Sequence, residues 1–229
     1  SILGINPIDE GNIQIPDKQD IGVVLSETGF SEFFTVSDII SILKCTYKHF
    51  DEDLFHSYCQ RFDIPLDKKT RTFSTGMKAK LNIIIALTHH AQLLILDEPT
   101  AGLDVLTRDE ILDILRDYME QEDCTILISS HISSDLESLC DDLYVIDHGQ
   151  IIMHEEMDTL LSQYGVLKVS KEDYDNLDKD YLLKAMKEPF GYSCLTNVRQ
   201  FYSENYPTIV IEQNHIDTMI PILLKGERL

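Results

Sequence analysis

The chain has 229 residues, of which 43% are hydrophobic and 26% are charged, a composition that excludes fibrous, collagenous and wholly disordered proteins. Its 40 acidic residues outnumber the 19 basic ones, and the formal charge of -21 argues against binding to nucleic acids or anionic membranes. Five cysteines without a C-x-x-C pair are typical of reduced thiols. No apolar run approaches the roughly 18 residues of a membrane-spanning helix, so we expect a cytoplasmic protein without direct membrane insertion.

Within residues 1–160, short apolar runs alternate with amphipathic stretches, which predicts an α/β fold with a mainly parallel sheet wrapped by helices. The predicted strands are Ile21–Leu25, Leu93–Leu96, Thr125–Ser129, Leu143–Ile146 and Ile151–His154. Residues 30–72 show helical spacing without a strong strand and are predicted to form a helical insertion. Two later helices are predicted: Val105–Glu120, which buries a face containing Leu106, and one opened by a capping box of Ser134 and Glu137.

The chain changes character near residue 160. Residues 1–160 carry a large excess of acid, whereas residues 161–229 are close to neutral and show weaker patterning. We therefore predict a domain boundary there, followed by a small accessory α+β domain of residues 161–229 in which we find no candidate chemistry. Its predicted strands are Val166–Ser170 and Thr208–Glu212, and its predicted helices are Lys171–Leu177 and His215–Lys225.

The run from Leu93 to Leu96 is apolar at every position and ends in two adjacent carboxylates, Asp97 and Glu98. A strand of this kind is buried on both faces, and open α/β sheets bind ligands beyond the carboxyl ends of their strands. We therefore predict that the pair faces a site, where one acid could hold Mg²⁺ and the other could orient or deprotonate an attacking water. The alternative, a solvated acidic turn, is disfavoured by the four apolar residues that precede the pair.

Five basic residues and no acidic one fall between Lys68 and Lys80, and Ser74, Thr75 and Gly76 lie there just before a helical run. Free N–H groups at the start of a helix, the Ser74 hydroxyl and close backbone approach at Gly76 predict an anion-binding site. The alternative is an ordinary serine-capped helix with a solvated basic flank.

His131 follows the predicted strand Thr125–Ser129 at the edge of the sheet where Asp97 and Glu98 are expected. A histidine in this position is either structural or a hydrogen-bonding partner for a terminal phosphate or an attacking water. The acidic pair on the neighbouring strand favours the functional interpretation.

In this order, the segments resemble the nucleotide-binding domain of ABC transporters. Residues 94–104 resemble the Walker B motif running into the D-loop, residues 73–77 resemble the signature motif, and Ser130-His131 resembles the switch histidine. The resemblance covers residues 1 to about 160 and implies a P-loop NTPase-like fold. The wording Ser-Thr-Gly-Met-Lys and the appended C-terminal domain are most similar to bacterial exporters of the multidrug, lantibiotic or bacitracin-resistance type.

The resemblance implies ATP and Mg²⁺ as ligands. Asp97 would support Mg²⁺, Glu98 would be the catalytic base, and His131 would contact the γ-phosphate. The signature segment would bind nucleotide held by a second ABC ATPase domain in a head-to-tail dimer, through Ser74, Thr75 and Gly76, and Asp104 would cross that dimer interface. Residues 30–72 would receive a membrane-spanning permease subunit, which would hold the protein at the inner face of the cell membrane.

The sequence departs from the family pattern at the phosphate-binding loop and at the Q-loop, and Val105 stands where proline commonly follows the D-loop. It contains no Gly-Lys pair and therefore no G-x-x-x-x-G-K-[ST] loop, and residues 1–11 resemble the segment that comes after that loop. We therefore expect the N-terminal part of the domain to be missing and this fragment to be inactive alone. Ser26 stands where the family has its Q-loop glutamine, and either Ser26 or the adjacent Glu27 could replace it as a ligand-binding residue.

Two functions agree with these patterns. The first is the ATP-hydrolysing subunit of an ABC exporter, which couples hydrolysis to transport through a permease. The second is a truncated or degenerate domain that has no catalysis of its own and lends the Ser74–Gly76 surface to a complete ATPase subunit. A third function, on DNA or ribosomes, is disfavoured by the net charge of -21.

Overall fold

The computed structural model describes residues 2–25, 29–120, 123–212 and 215–227. The chain divides into two compact units, Ser1–His131 and Ile132–Leu229. The boundary between the two compact units therefore lies before the change in charge near residue 160, because residues 132–160 share a hydrophobic core with residues 164–223. The predicted boundary at 160 rests on the change in charge and on the weaker patterning that follows it.

The described residues of the first unit form a parallel sheet and four α-helices, as the apolar patterning predicts. Its strands are β1 (Ile21–Val24), β2 (Leu93–Asp97) and β3 (Thr125–Ser129), and its helices are α1 (Val36–Thr46), α2 (Glu52–Arg61), α3 (Thr75–Leu87) and α4 (Val105–Met119). The strands pair in the order β1-β2-β3, so the all-apolar strand lies at the centre of these three. Leu94 and Leu96 on one face of β2 are buried, whereas Leu93 and Ile95 on the other face are only half-buried, so the expected burial of both faces is complete on one face only.

Local sequence signals account for where the helices of this unit begin. Thr35 and Asp38 form a capping box at the start of α1, and Ser74 accepts a hydrogen bond from the Met77 N–H at the start of α3. Residues 29–92, all described, contain helices and one isolated bridge but no strand, which agrees with the predicted helical insertion. One expectation is wrong: Leu106 is 77% exposed, because the buried face of α4 starts only at Ile111.

Where the structure describes the second unit, it contains a hairpin, an antiparallel sheet and five short helices. The hairpin joins β4 (Asp142–Asp147) to β5 (Gln150–Glu156), and the sheet contains β6 (Gly165–Val169), β7 (Leu182–Glu188), β8 (Gly191–Thr196) and β9 (Val210–Glu212) in the order β7-β8-β6-β9. The helices are α5 (Ser133–Leu139), α6 (Met157–Gln163), α7 (Lys171–Asn176), α8 (Arg199–Asn205) and α9 (Ile216–Lys225).

Three expectations for this unit need correction. The predicted strands Leu143–Ile146 and Ile151–His154 form, but they pair antiparallel with each other as a separate two-stranded sheet. The Ser134–Glu137 capping box is wrong, since α5 begins at Ser133 with Ile132 as its N-cap, and the Glu137 carboxylate accepts a hydrogen bond from the Ile216 N–H at 2.7 Å. The sequence patterning does not predict α6, β7, β8 or α8; β7 has the sequence Leu-Leu-Lys-Ala-Met-Lys-Glu, whose residues favour helices.

No helix in the described part of either unit combines the length and the hydropathy that crossing a membrane requires.

Candidate functional site

The acidic pair lies where the central strand of the parallel sheet ends. Asp97 is the last residue of β2, is exposed, and pairs in register with Ser129, the last residue of β3. The Ser129 hydroxyl donates a hydrogen bond to Asp97 Oδ1 at 2.6 Å, and the Glu98 N–H donates to the Ser129 carbonyl at 3.0 Å. The parallel register therefore holds both carboxylate residues against the end of the next strand.

His131 reaches the same edge of the sheet, two residues after β3. Its Nδ1 lies 2.6 Å from Glu98 Oε2, and the two side chains are 67% and 33% exposed. Glu98 adopts a backbone φ of 51°, in the left-handed region that a residue with a side chain occupies at a cost of about 1 kcal/mol or more. Strain of this kind at the contact between two titratable side chains is typical of a functional site.

A cavity of about 570 Å³ opens beside this acidic pair. Asp97 and Glu98 line it together with Thr75 and Lys78 from the first turns of α3. The cavity also receives Leu25, directly after β1. The structure therefore brings Thr75 to the acidic pair predicted from β2, although the two are far apart in the sequence.

Asp104 and Gly76, two other residues predicted to bind the ligand, lie at the starts of α4 and α3, where the two helices contact each other. Asp104 caps α4 and accepts hydrogen bonds from the Thr107 N–H at 3.1 Å and the Thr107 hydroxyl at 2.8 Å, which lower the pKa of the Asp104 carboxyl. A Cβ added at Gly76 would lie 2.9 Å from Thr107 Cγ2. Thr107 thus contacts both Asp104 and Gly76, and no motif in the sequence singles it out.

This geometry makes a prediction about Gly76→Ala. Alanine is ordinarily favoured over glycine within a helix by about 1 kcal/mol, but here its Cβ would overlap the Thr107 methyl group, so we expect a net loss of about 1 kcal/mol in the free energy of unfolding. Thr107→Ser removes that methyl group and keeps the hydroxyl that bonds Asp104. Thermal and urea denaturation should therefore show that Gly76→Ala costs less in the Thr107→Ser background; an unchanged cost would contradict the close approach of the two helices.

The basic residues between Lys68 and Lys80 divide between ion pairs and a separate cavity, whereas the anion-binding role expected of Ser74, Thr75 and Gly76 stays a prediction. Lys78 forms an ion pair with Glu32 at 2.8 Å, and Lys80 pairs with Glu110 on α4. The other three basic residues, Lys68, Lys69 and Arg71, line a separate cavity. The Ser74 hydroxyl is engaged as the cap of α3 through Met77 N–H at 3.2 Å. Ser26 and Glu27 lie outside the described residues.

Across residues 2–25, 29–120, 123–212 and 215–227, no group of three or more histidine, cysteine, aspartate or glutamate side chains is arranged to hold a metal ion. Asp97, an exposed carboxylate fixed by a serine hydroxyl, offers the hard oxygen ligands that Mg²⁺ prefers. Mg²⁺ is usually held by one or two carboxylates, with phosphate and water oxygens completing its shell, and Asp97 fits that pattern.

Several known proteins are similar to this chain in sequence. A family model described as "AAA domain, putative AbiEii toxin, Type IV TA system" matches residues 38–134. The ABC transporter ATP-binding protein YtrB of Bacillus subtilis is 29% identical over 160 residues, 70% of this chain and 55% of that protein. The lantibiotic transport ATP-binding protein SrtF of Streptococcus pyogenes is 45% identical over 94 residues, 41% of each protein. The chain spans about half the length of the curated relatives it matches first.

A solved structure extends the comparison to the fold. The dimeric, post-hydrolysis ATP-binding cassette MJ0796, bound to ADP and Pi, aligns with a TM-score of 0.54 at 17% identity, over 61% of this chain and 64% of that one. At this identity the likeness shows the fold alone.

Proposed function

We propose that this chain, which is related in sequence and fold to the ATP-binding proteins of ABC transporters, is part of an ATPase subunit that drives an exporter. The observation that carries the proposal is the parallel register of β2 and β3, which places Asp97, Glu98 and His131 at one edge of the sheet. An attack of water on a phosphoryl group uses groups of this kind: a carboxylate beside an imidazole, and a second carboxylate that also lines the cavity.

Each side chain has a role in this proposal. Glu98 would accept the proton of the attacking water, and the His131 hydrogen bond would hold its carboxylate in place. The second ring nitrogen, Nε2, would be the one to meet a terminal phosphate. Asp97, oriented by Ser129, would hold Mg²⁺, which when bound neutralises charge on the phosphate oxygens.

We further propose that the chain acts within an assembly. Ser74, Thr75 and Gly76 would close over ATP held by a second ATPase domain, and Asp104 would cross that interface. Val105 and Leu106 come directly after Asp104 and are 69% and 77% exposed, a pair of apolar side chains that such an interface would cover. A permease that docks on residues 30–72 would place the protein at the inner face of the membrane, and the related lantibiotic transport protein makes an exporter the natural assignment.

A second candidate is a non-catalytic partner, because the Ser74–Gly76 helix start is fully formed although the sequence contains no phosphate-binding Gly-Lys loop. Mixing the chain with a complete ATP-binding subunit, such as SrtF, distinguishes the two. A changed ATPase rate of that subunit supports the partner role, and an unchanged rate over a wide range of mixing ratios counts against it.

For the chain alone, we expect weak MgATP binding and essentially no hydrolysis, because the sequence lacks the lysine and the nest of N–H groups that offset phosphate charge. Calorimetric titration and a phosphate-release assay measure the two quantities. Turnover by the purified chain that disappears in Glu98→Gln would overturn this expectation, because the acidic pair would then act without the loop.

A further inference from the structure

Three residues join the end of β3 to the start of α5, and His131 is the middle one. Before them, the Ser129 hydroxyl donates a hydrogen bond to Asp97 Oδ1 at 2.6 Å. After them, Ser133 is the first residue of α5, is buried, and donates a hydrogen bond from its hydroxyl to the Asp217 carboxylate. A serine hydroxyl therefore anchors the chain on each side of the segment that carries His131.

Asp217 belongs to α9, and a carboxylate of α5 holds the start of that helix. The N–H of Ile216, the first residue of α9, donates to Glu137 Oε1 at 2.7 Å, and His215 Nδ1 lies 3.1 Å from Glu137 Oε2. Both carboxylate oxygens of Glu137 are engaged, and its side chain is only 15% exposed. Because the first N–H groups of a helix have no partner within that helix, Glu137 acts as a cap for α9.

Apolar packing joins the same two helices. Ile216, Met219 and Ile222 of α9 are each 1% exposed, and Leu136 of α5 packs against the core to which they belong. Hydrogen bonds beside a dry core are stronger than hydrogen bonds in water. The contact made by Ser133, Glu137, His215, Ile216 and Asp217, named here the α5–α9 contact, therefore fixes α5 within the second unit.

We propose that Glu137 and Asp217 are positioning residues for His131. They hold the start of α5 against α9, and the anchored start of α5 limits where the His131 ring can lie. The distance of 2.6 Å between His131 Nδ1 and Glu98 Oε2 leaves little room for displacement, because a hydrogen bond weakens steeply when its geometry is lost. Reactive side chains keep such geometry when outer contacts hold them, and α9 supplies outer contacts of this kind.

The test is nuclear magnetic resonance of the chain with carbon-13-labelled histidine, in which His131→Gln identifies the ring signal of His131. In the parent chain, Glu98→Gln should move that signal, because the two side chains are in contact. In the Glu137→Ala background, the same Glu98→Gln change should move it by about half as much or less, which is the loss of coupling that a double-mutant cycle measures. Glu137→Gln keeps an oxygen that can accept from the Ile216 N–H and should restore the response.

A second variant approaches the α5–α9 contact from its other end. Ser133→Ala removes only the hydroxyl that bonds Asp217 and should also reduce the response of the His131 signal to Glu98→Gln. It carries the test if Glu137→Ala does not fold. A full response in both backgrounds, or in Ser133→Ala alone where Glu137→Ala does not fold, would overturn the proposal.

The matched control is Glu155→Ala, which removes another half-buried carboxylate of the second unit. Glu155 lies in β5, and its Oε2 accepts a hydrogen bond from the Tyr164 hydroxyl at 2.9 Å. This variant should lower the melting temperature and leave the response of the His131 signal intact. An equal loss of response in Glu155→Ala and Glu137→Ala would also overturn the proposal, because general loss of stability would then explain both.

The inference rests on the proposed function for the chemical task of His131, and turnover separates the two. In a protein that carries this chain together with a phosphate-binding loop, Glu137→Ala should lower turnover by roughly tenfold or more through misplacement of His131. If the His131 signal depends on Glu137 but Glu98→Gln leaves turnover unchanged, the proposed function fails and the positioning role stands. If Glu98→Gln abolishes turnover and the His131 signal does not depend on Glu137, the positioning role fails and the proposed function stands.

Discussion

Glu98→Gln is expected to lower ATP turnover by roughly two to four orders of magnitude in a protein that carries this chain together with a phosphate-binding loop. Glutamine has nearly the same size and can still form a hydrogen bond with His131, so the change removes the charge and the basicity of the side chain while keeping its contact. Phosphate release under saturating ATP measures the effect. Nucleotide binding should remain, because the proposed mechanism has the carboxylate act on the water and not on the adenosine or the phosphates.

The control is Glu110→Gln, the same chemical change on α4, where the carboxylate pairs with Lys80 and does not line the cavity of the acidic pair. Its turnover should match that of the parent protein. A Glu98→Gln variant that retains a tenth or more of the parent rate would remove Glu98 from the role of general base. The structure would then leave His131 as the remaining titratable side chain at that contact.

A second substitution at Glu98 should separate the effect on activity from the effect on stability, because of the backbone conformation there. A φ of 51° suits glycine better than glutamate, so Glu98→Gly should relax the turn after β2 while it removes the side chain. The expected result is a melting temperature that is unchanged or higher and a turnover that is lost. The strained backbone at this position lowers the stability of the fold, which a glycine would not do, and it fixes the position of the carboxylate.

The sequence predicts the core of the site because parallel strands bring their carboxyl ends to one edge. Asp97 and Ser129 pair in register, and this pairing places His131 beside Glu98 even though more than thirty residues separate the members of each pair. Only two facts were needed for that prediction: the apolar runs are strands, and the strands run parallel. Both come from apolar periodicity and from the helices between the runs.

Contacts between side chains of different helices are not predictable in this way. The basic run reads as one anion site, but Glu32 and Glu110 neutralise Lys78 and Lys80 from distant parts of the chain. Thr107 belongs to no motif in the sequence, and the packing of α4 on α3 brings it against Gly76. Local patterns describe the elements and their ends, whereas ion pairing and close packing depend on how those elements meet.

Gly22→Ala is expected to destabilise the first unit by about 3 kcal/mol, the largest stability effect that we expect of a single methyl group in this unit. Gly22 lies in β1 opposite Leu94, and a Cβ there would stand 2.5 Å from the Ala86 carbonyl oxygen of α3 and 2.5 Å from Leu94 Cδ2. The carbonyl is backbone and cannot rotate away, so the strand and the helix must separate. The chain contains no tryptophan, so urea denaturation followed by far-ultraviolet circular dichroism is the suitable measurement.

Gly29→Ala is the matched control, because no atom of a described residue, apart from the chain neighbours of Gly29, lies within 4 Å of the Cβ position there. Its free energy of unfolding should differ little from that of the parent chain, and an equal loss in both variants would mean that the glycine backbone, and not the close approach of α3, sets the effect. The consequence of Gly22→Ala should also reach the site. Val24 and Leu25, shortly after Gly22 in the chain, line the cavity of Asp97 and Glu98, so a displaced β1 alters that cavity without a change in any residue proposed to act on the nucleotide.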